Sequence, residues 1–439
     1  MTTNHPILVY SSLLTKRLRY ITQHILSDML ALKVHFTSNR DAFIAHDGAK
    51  INYSSCQFAD ELFFYPATLL FEKGIKAQQI KVTWYRDMPI FYRHQNNSDL
   101  PFDIFAASFF LISRYEEYLP HTRDAHDRYP AEESLAHRDN FLHLPVIDHW
   151  VIWLSNVLLR RYPNLPILRK RYKFIATYDI DIAYAYRHKG ILRNLGGSLQ
   201  SLRHSDAKAQ LSERIRVLAG IDPDPYDTYQ WQFDLQQQYQ FRANYFFLVG
   251  EYGIFDKNIS ANGLAYQRLI QSIADFYEVG IHPSYRAASS PNILADEIRC
   301  LADITKKEVK KSRQHYIKLN LPQTYQTLLD LGIDKDYTMG YPSQAGFRAG
   351  TASSFWFYDL SLETPTELRI FPFAVMDVTL QHYLNLSPEE ATRTIEQLIA
   401  QTKAVKGVFC PIWHNHTLCN LHEWRGWREV YEQMIVSAI

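Results

Sequence analysis

Cysteine is scarce in this chain. Cys56, Cys300, Cys410 and Cys419 are scattered, and no pair has C-x-x-C spacing. A disulfide framework and a zinc knuckle are thereby excluded. Charge of one sign is not in excess either. Lys+Arg number 47 against 46 Asp+Glu, a formal charge of +1. The basic surplus of a nucleic-acid binder is missing, so nucleic acid is not an expected partner. No apolar run approaches the roughly 18 residues of a membrane-spanning helix, so no transmembrane segment is expected. The opening MTTNHPILVYSSLLTKRLRY has no basic stretch ahead of its apolar run and no small-residue cleavage site. No signal peptide is expected, and the expected setting is soluble and cytoplasmic. Solenoid-length repeats and low-complexity segments are absent as well. What is present is ordinary for a globular protein: 46% hydrophobic and 21% charged residues, which excludes bulk disorder. A chain of 439 residues suits two or three domains, or a barrel with a smaller partner.

The rhythm of the chain changes near residue 170. Before it, the β-rich runs HPILVYSS, LKVHFTS, AKINYSS and IKVTWYR alternate with helical runs such as TKRLRYITQHILSDML and FDIFAASFFLISRYEEYL. A charged stretch, residues 121–140, reads as a long loop. It is either a solvated connector or a flap over a site. The helical run DHWVIWLSNVLLRRY then leads into PNLPILRKRY, which reads as a linker with two prolines. The division expected is residues 1–165, an N-terminal part whose chemistry the sequence does not name, and residues 166–439. In that second part the strand-like KFIATYDIDI, FRANYFFLVG, FYEVGIHPSY, SRQHYIKL, DYTMGYP, LRIFPFAVMD and GVFCPIWHN alternate with helical patterns. Repeated alternation predicts parallel βαβ units in a sheet or barrel, an α/β class. Ser387, followed by Pro388, Glu389 and Glu390, is a strong helix start.

Ionisable residues gather where those strands end, the place where loops converge on one mouth in α/β barrels. Asp179 and Asp181 end the first run, His282 the third and His414 the last. Arg313 and His315 lie in the fourth run, and Asp377 follows the sixth. Each alone has a bland explanation as a cap or a satisfied polar residue. Together they are a candidate divalent-metal site with an acid and a base to spare, because buried ionisable groups are costly unless paired or metal-bound. His416 and His422 read as neighbours of that site. Tyr184, Tyr186, Tyr285, Trp356 and Trp413 read as aromatics near the mouth, suited to sugar faces or simply to core packing.

The motifs in this order resemble a divergent polysaccharide deacetylase domain, the NodB-homology fold of carbohydrate esterase family 4. The family's aspartate pair corresponds to TYDIDI, with one residue inserted between Asp179 and Asp181. Its H-[ST]-x-x-H motif corresponds to GIHPSYR, where Arg286 replaces the second histidine. R-P-P-Y corresponds to RQHY, and the last strand-end histidine to His414. GFRAGT, with Arg348, and PFAVMD resemble a sub-branch tied to polysaccharide biosynthesis, in which a smaller N-terminal domain comes first. The resemblance implies a distorted (β/α) barrel preceded by a smaller α+β domain. It implies a divalent metal, zinc above all, and an N-acetylated carbohydrate substrate. It implies Asp179 as base, His414 as acid, Arg313 and Asp377 as their supports, and Asp181 and His282 as metal ligands. His315 is the expected substitute for the missing histidine. Tyr316, Arg286 and Arg348 are the expected substrate-binding residues. The competing reading is an inactive deacetylase-fold protein that binds or assembles carbohydrate.

Overall fold

In the N-terminal part, short β-branched and aromatic runs make four strands: β1 (Ile7–Tyr10), β2 (Val34–Thr37), β3 (Lys50–Tyr53) and β4 (Leu62–Phe64). The structure, a computed structural model, describes residues 6–168, 170–190 and 207–439. The first five residues, read above for a leader, and residue 169 of the linker lie outside those described. The four strands pair in the order β2-β1-β3-β4, all parallel. This differs from the α+β arrangement expected. The cause is visible in the connections: a helical segment intervenes between β1 and β2 and another between β2 and β3, and crossovers of that length bring strands back parallel. The run IKVTWYR instead supplies β5 (Thr83–Tyr85), which forms a separate hairpin with β6 (Met88–Ile90).

The second part contributes β7 (Lys173–Phe174), β8 (Ala176–Ile180), β9 (Ala243–Phe247), β10 (Glu278–Ile281), β11 (Lys311–Ser312) and β12 (Lys335–Asp336). It continues with β13 (Phe355–Asp359), β14 (Thr364–Ile370), β15 (Val375–Met376), β16 (Val408–Phe409) and β17 (Pro411–His414). Nine of these form one sheet, ordered β13-β14-β12-β11-β10-β9-β8-β17-β15. Every residue of β8 and β9 is buried, as expected for parallel strands covered on both faces. Among the described residues of this sheet, only β13 and β14 pair antiparallel. The stretch joining β14 to β15 keeps bonding: Phe371 N–H donates to Asp336 O (2.8 Å), Phe373 N–H to Met339 O (3.0 Å) and Ala374 N–H to Cys410 O (3.1 Å). One extended run therefore begins beside β12 and ends beside β17. Among the helices, Pro388–Ala404 opens with the capping box expected of Ser387, closed reciprocally with Glu390.

A single cluster of buried apolar residues runs from Ile7 to Ala438 and includes side chains of both parts. Buried polar groups cross the seam too. Asp148 accepts hydrogen bonds from Thr351 Oγ1, Ser353 Oγ and Ala352 N–H (2.7, 2.7 and 2.9 Å). Arg17 pairs with Glu363. Arg348, expected at the substrate, is instead committed to this seam. Its Nε and Nη2 donate to Glu117 (2.9 and 2.7 Å), and its Nη1 donates to Gly340 O (2.9 Å). Glu117 is shared with Arg114, whose Nε donates to it at 2.7 Å. Burial would push the Glu117 carboxyl up, but the two guanidinium groups hold it below the usual carboxylate range. Glu117→Ala is expected to destabilise the fold by about 3–5 kcal/mol, because two buried cations lose their shared anion. Urea denaturation measures this, and an unchanged midpoint would contradict it.

Candidate metal centre

Parallel strands end on one edge, so register decides which loops meet. His414 lies opposite Asp179, and Ile281 opposite Ser312, which sets His282 beside Arg313. Asp181, His282 and His315 follow β8, β10 and β11, and each offers a ligand atom within 4.8 Å of the others. Asp181 Oδ1 lies 3.1 Å from His282 Nε2, and its Oδ2 lies 3.4 Å from His315 Nε2.

The outer nitrogens fix both rings. His282 Nδ1 is 2.6 Å from Arg313 O, an acceptor only, so this nitrogen carries the proton. His315 Nδ1 is 2.9 Å from Asp256 Oδ1 and donates to it. The Nε2 lone pair of His282 then faces Asp181 Oδ1, and both atoms are buried with no hydrogen-bond partner. Two lone pairs at 3.1 Å repel unless a cation lies between them. Two imidazoles anchored through Nδ1 and one carboxylate are a donor set suited to zinc, so the residues fit the metal. The carboxylates draw positive charge to this spot. Burial pulls the His315 imidazole down, yet Asp181 and Asp256 hold its pKa up at about 9, so a metal bound there has to displace that proton. Burial also pushes the Asp181 carboxyl up, but the His315 and His414 charges bring it well below the carboxylate range.

Asp179 and His414 flank this trio. Asp179 is buried, with Oδ1 3.7 Å from Arg313 Nη1 and Oδ2 3.9 Å from His282 Nε2. Arg313 is fully buried, its Nη2 donating to Thr177 Oγ1 (2.8 Å) and its guanidinium 4.9 Å from the Phe246 ring centroid. Asp179 Oδ1 and Arg313 Nη1 are ion-paired without a hydrogen bond. On the other side, His414 Nδ1 donates to Asp377 Oδ1 (2.8 Å), and its backbone N–H donates to Oδ2 (2.8 Å). The His414 Nε2 points toward Asp181 Oδ2 at 3.7 Å. Burial works against its charged form, but Asp377 and Asp181 outweigh it and raise the pKa to about 10. His416 has no such anchor. Burial, then the His414 charge, pushes it down to about 4.

These groups line a cavity of about 280 Å³, with Tyr316, Phe255, Tyr383 and Arg128 among its walls. Of the expected site residues, Asp179, Asp181, His282, His315, His414 and Tyr316 line that cavity, with Arg313 and Asp377 bonded behind it. Arg286 is not brought in. It is exposed, 3.4 Å from Glu251, and lines a neighbouring cavity. It stands at the start of a short 3₁₀ turn, where its charge stays solvated. Arg348 lies in the seam, for the reason given above. Trp356 lines a separate cavity with Asp28 and Arg369, and Trp413 is buried in the core. His422 is exposed and lies 3.7 Å from Glu213. Sequence reasoning missed Asp256 and Arg128. Neither belongs to a strand-end motif, and Arg128 sits in the charged stretch 121–140.

A sequence-family model, that of a family of unknown function (DUF7033), matches residues 7–163. No curated protein matches the chain. Solved structures resemble it in part. The polysaccharide deacetylase Bc1974 from Bacillus cereus is 11% identical, with a TM-score of 0.30 over 61% of this chain and 87% of that one. The Puue allantoinase is 13% identical, with a TM-score of 0.37 over 60% and 84%. A CE4 family pseudoenzyme from Bacillus anthracis is 10% identical, with a TM-score of 0.29 over 61% and 60%. Likenesses at this level bear on the course of the chain alone, and the site is read from its own geometry. Among the described residues, no helix is long and apolar enough to cross a membrane.

Proposed function

We propose that the protein is a metal-dependent hydrolase that removes an N-acetyl group from a sugar or a sugar-containing precursor. One observation carries this: a cation-sized gap among Asp181, His282 and His315, with a carboxylate on one flank and a carboxylate-anchored imidazole on the other. A divalent metal held there, zinc by its donor set, supplies Lewis-acid polarisation of the acetamide carbonyl. Asp179 takes a proton from the attacking water, and Arg313, 3.7 Å from its Oδ1, holds that carboxylate in place. As the C–N bond breaks, His414 gives its Nε2 proton to the leaving amine, while Asp377 fixes the opposite nitrogen. The backbone N–H of Tyr316 is the donor to the developing oxyanion. The motif resemblance and the aromatic wall of Phe255, Tyr316 and Tyr383 support a carbohydrate substrate. The same proposal includes a distorted barrel, closed by the run that passes from β12 to β17, and a division of the chain near residue 165.

Arg286 in the place of a motif histidine favours the second reading, an inactive carbohydrate-binding protein. His315 answers it by supplying the nitrogen that Arg286 cannot. Elemental analysis of the purified protein and acetate release from N-acetylated oligosaccharides separate the two. Within the active reading, His414→Ala is expected to slow amide hydrolysis by about 10²–10⁴-fold. It should slow an activated acetyl ester far less, since that leaving group needs no proton. Equal losses on both substrates would remove His414 from the acid role.

A further inference from the structure

The charged stretch is no idle connector. We infer that its loop, residues 121–129, is a working part of the metal centre: through Arg128 it holds the turn that aims His315 at Asp181 and His282. This rests on the metal-centre reading above and concerns how that centre keeps its shape.

The turn needs holding. Tyr316 lies at φ 58°, ψ 11°, and Ile317 at φ 54°. Left-handed backbone crowds Cβ against the carbonyl, and a β-branched residue tolerates it worst. Two such residues in succession persist only where their surroundings over-determine them. Ile317 is fixed by burial against Phe373, Met376 and Ile412. Tyr316 is only partly buried; its ring packs edge-on against Phe255 and Tyr285 (centroids 5.6 and 5.3 Å), and the N-terminal part adds a hold on its backbone. Its carbonyl accepts a charge-assisted hydrogen bond from Arg128 Nη1 at 2.7 Å. Its ring faces that of His126, with centroids 4.9 Å apart.

Arg128 is itself fixed. It is buried, its Nε donates to Asp124 Oδ2 (2.7 Å), and its Nη2 reaches the Tyr383 hydroxyl at 3.4 Å. Three partners around one planar fork are a geometry that lysine cannot reproduce. A second route leads from the same loop to the same histidine. His126 Nδ1 lies 3.2 Å from the Tyr285 hydroxyl, and the Tyr285 N–H donates to Asp256 Oδ1 (2.9 Å). That oxygen also receives His315 Nδ1–H. Loop 121–129 thus grips His315 through the Tyr316 carbonyl on one side and through Tyr285 and Asp256 on the other. Arg128 is thereby a positioning residue.

The test uses the full-length chain and zinc itself, titrated in competition with a chromophoric chelator, with circular dichroism to confirm folding. Arg128→Ala is expected to weaken zinc binding about tenfold or more, the scale of groups that orient metal ligands. Arg128→Gln, which keeps a donor without the charge, should fall between. Glycine adopts positive φ freely, so Tyr316→Gly added to Arg128→Ala is expected to recover much of the lost affinity. A role of Arg128 as mere cavity charge or packing predicts no such recovery. If Arg128→Ala binds zinc like the native chain, or the double variant stays as weak as the single, the inference is overturned. The deacetylase reading survives that outcome. Should Arg128→Ala not fold, Arg128→Gln with and without Tyr316→Gly makes the same comparison. If no Arg128 variant folds, the residue is structural and the inference is again overturned. A native chain that binds no zinc overturns both readings together.

Discussion

Asp179→Asn should cost about 10²–10⁴-fold in turnover and leave the metal in place. The substitution keeps the shape and removes only basicity and charge. The metal stays because Asp179 is outside the ligand trio, its nearest approach to a ligand nitrogen being 3.9 Å from His282 Nε2. A second effect accompanies the first. Arg313 is fully buried and Asp179 is its counter-charge at 3.7 Å, so the variant should also lose stability. Steady-state rates, the zinc-to-protein ratio and thermal unfolding measure the three parts. Turnover close to native would remove Asp179 from the role of base. Loss of zinc along with turnover would make it a ligand.

The other large effect is expected at His315. His315→Ala should lose metal and activity together, as His282→Ala does, because a two-ligand remnant of Asp181 and one imidazole holds zinc poorly. Asp256→Asn is the milder companion. It leaves the ligand but spoils the carboxylate that orients its ring, and a drop of about 10–100-fold in zinc affinity is the usual scale. Arg286→Ala should bind zinc like the native chain, since that side chain is exposed and paired with Glu251. Full zinc occupancy in the His315→Ala variant would sink the three-ligand centre and favour the inactive, carbohydrate-binding reading.

The strand-end chemistry was legible because parallel strands deliver their C-terminal residues to a common edge. Hydrophobic runs ending in Asp179, His282 and His414 announce both the strand and the site. Arg348 misled because a motif position says nothing of direction: its side chain turned away from the mouth toward Glu117, a partner 231 residues away in sequence. Asp256 was invisible, since it lies in a loop after β9 and its importance appears only when His315 approaches from another strand. Arg128 was hidden by its company. Asp124, Asp127 and Arg123 surround it in sequence, and such a mixture reads as solvent-exposed, yet Arg128 is among the buried residues. The hairpin of β13 and β14 was half seen. LRIFPFAVMD read as a strand, but its antiparallel partner FWFYD was not recognised among the flanking polar residues.

The seam between the two parts has an evolutionary consequence. Gene fusion and recombination can shuffle domains when the cut passes through solvent-exposed linker and leaves each side satisfied. A cut near residue 165 does not. It would strand Arg348 away from Glu117, leave Thr351 and Ser353 without Asp148, and take Arg128 from the Tyr316 carbonyl. The two halves are therefore expected to descend as a pair. Wherever this second part is found with its GFRAGT arginine, a first part bearing the counterpart of Glu117 should precede it, and grafting either half onto a foreign partner should yield aggregates rather than folded chimeras.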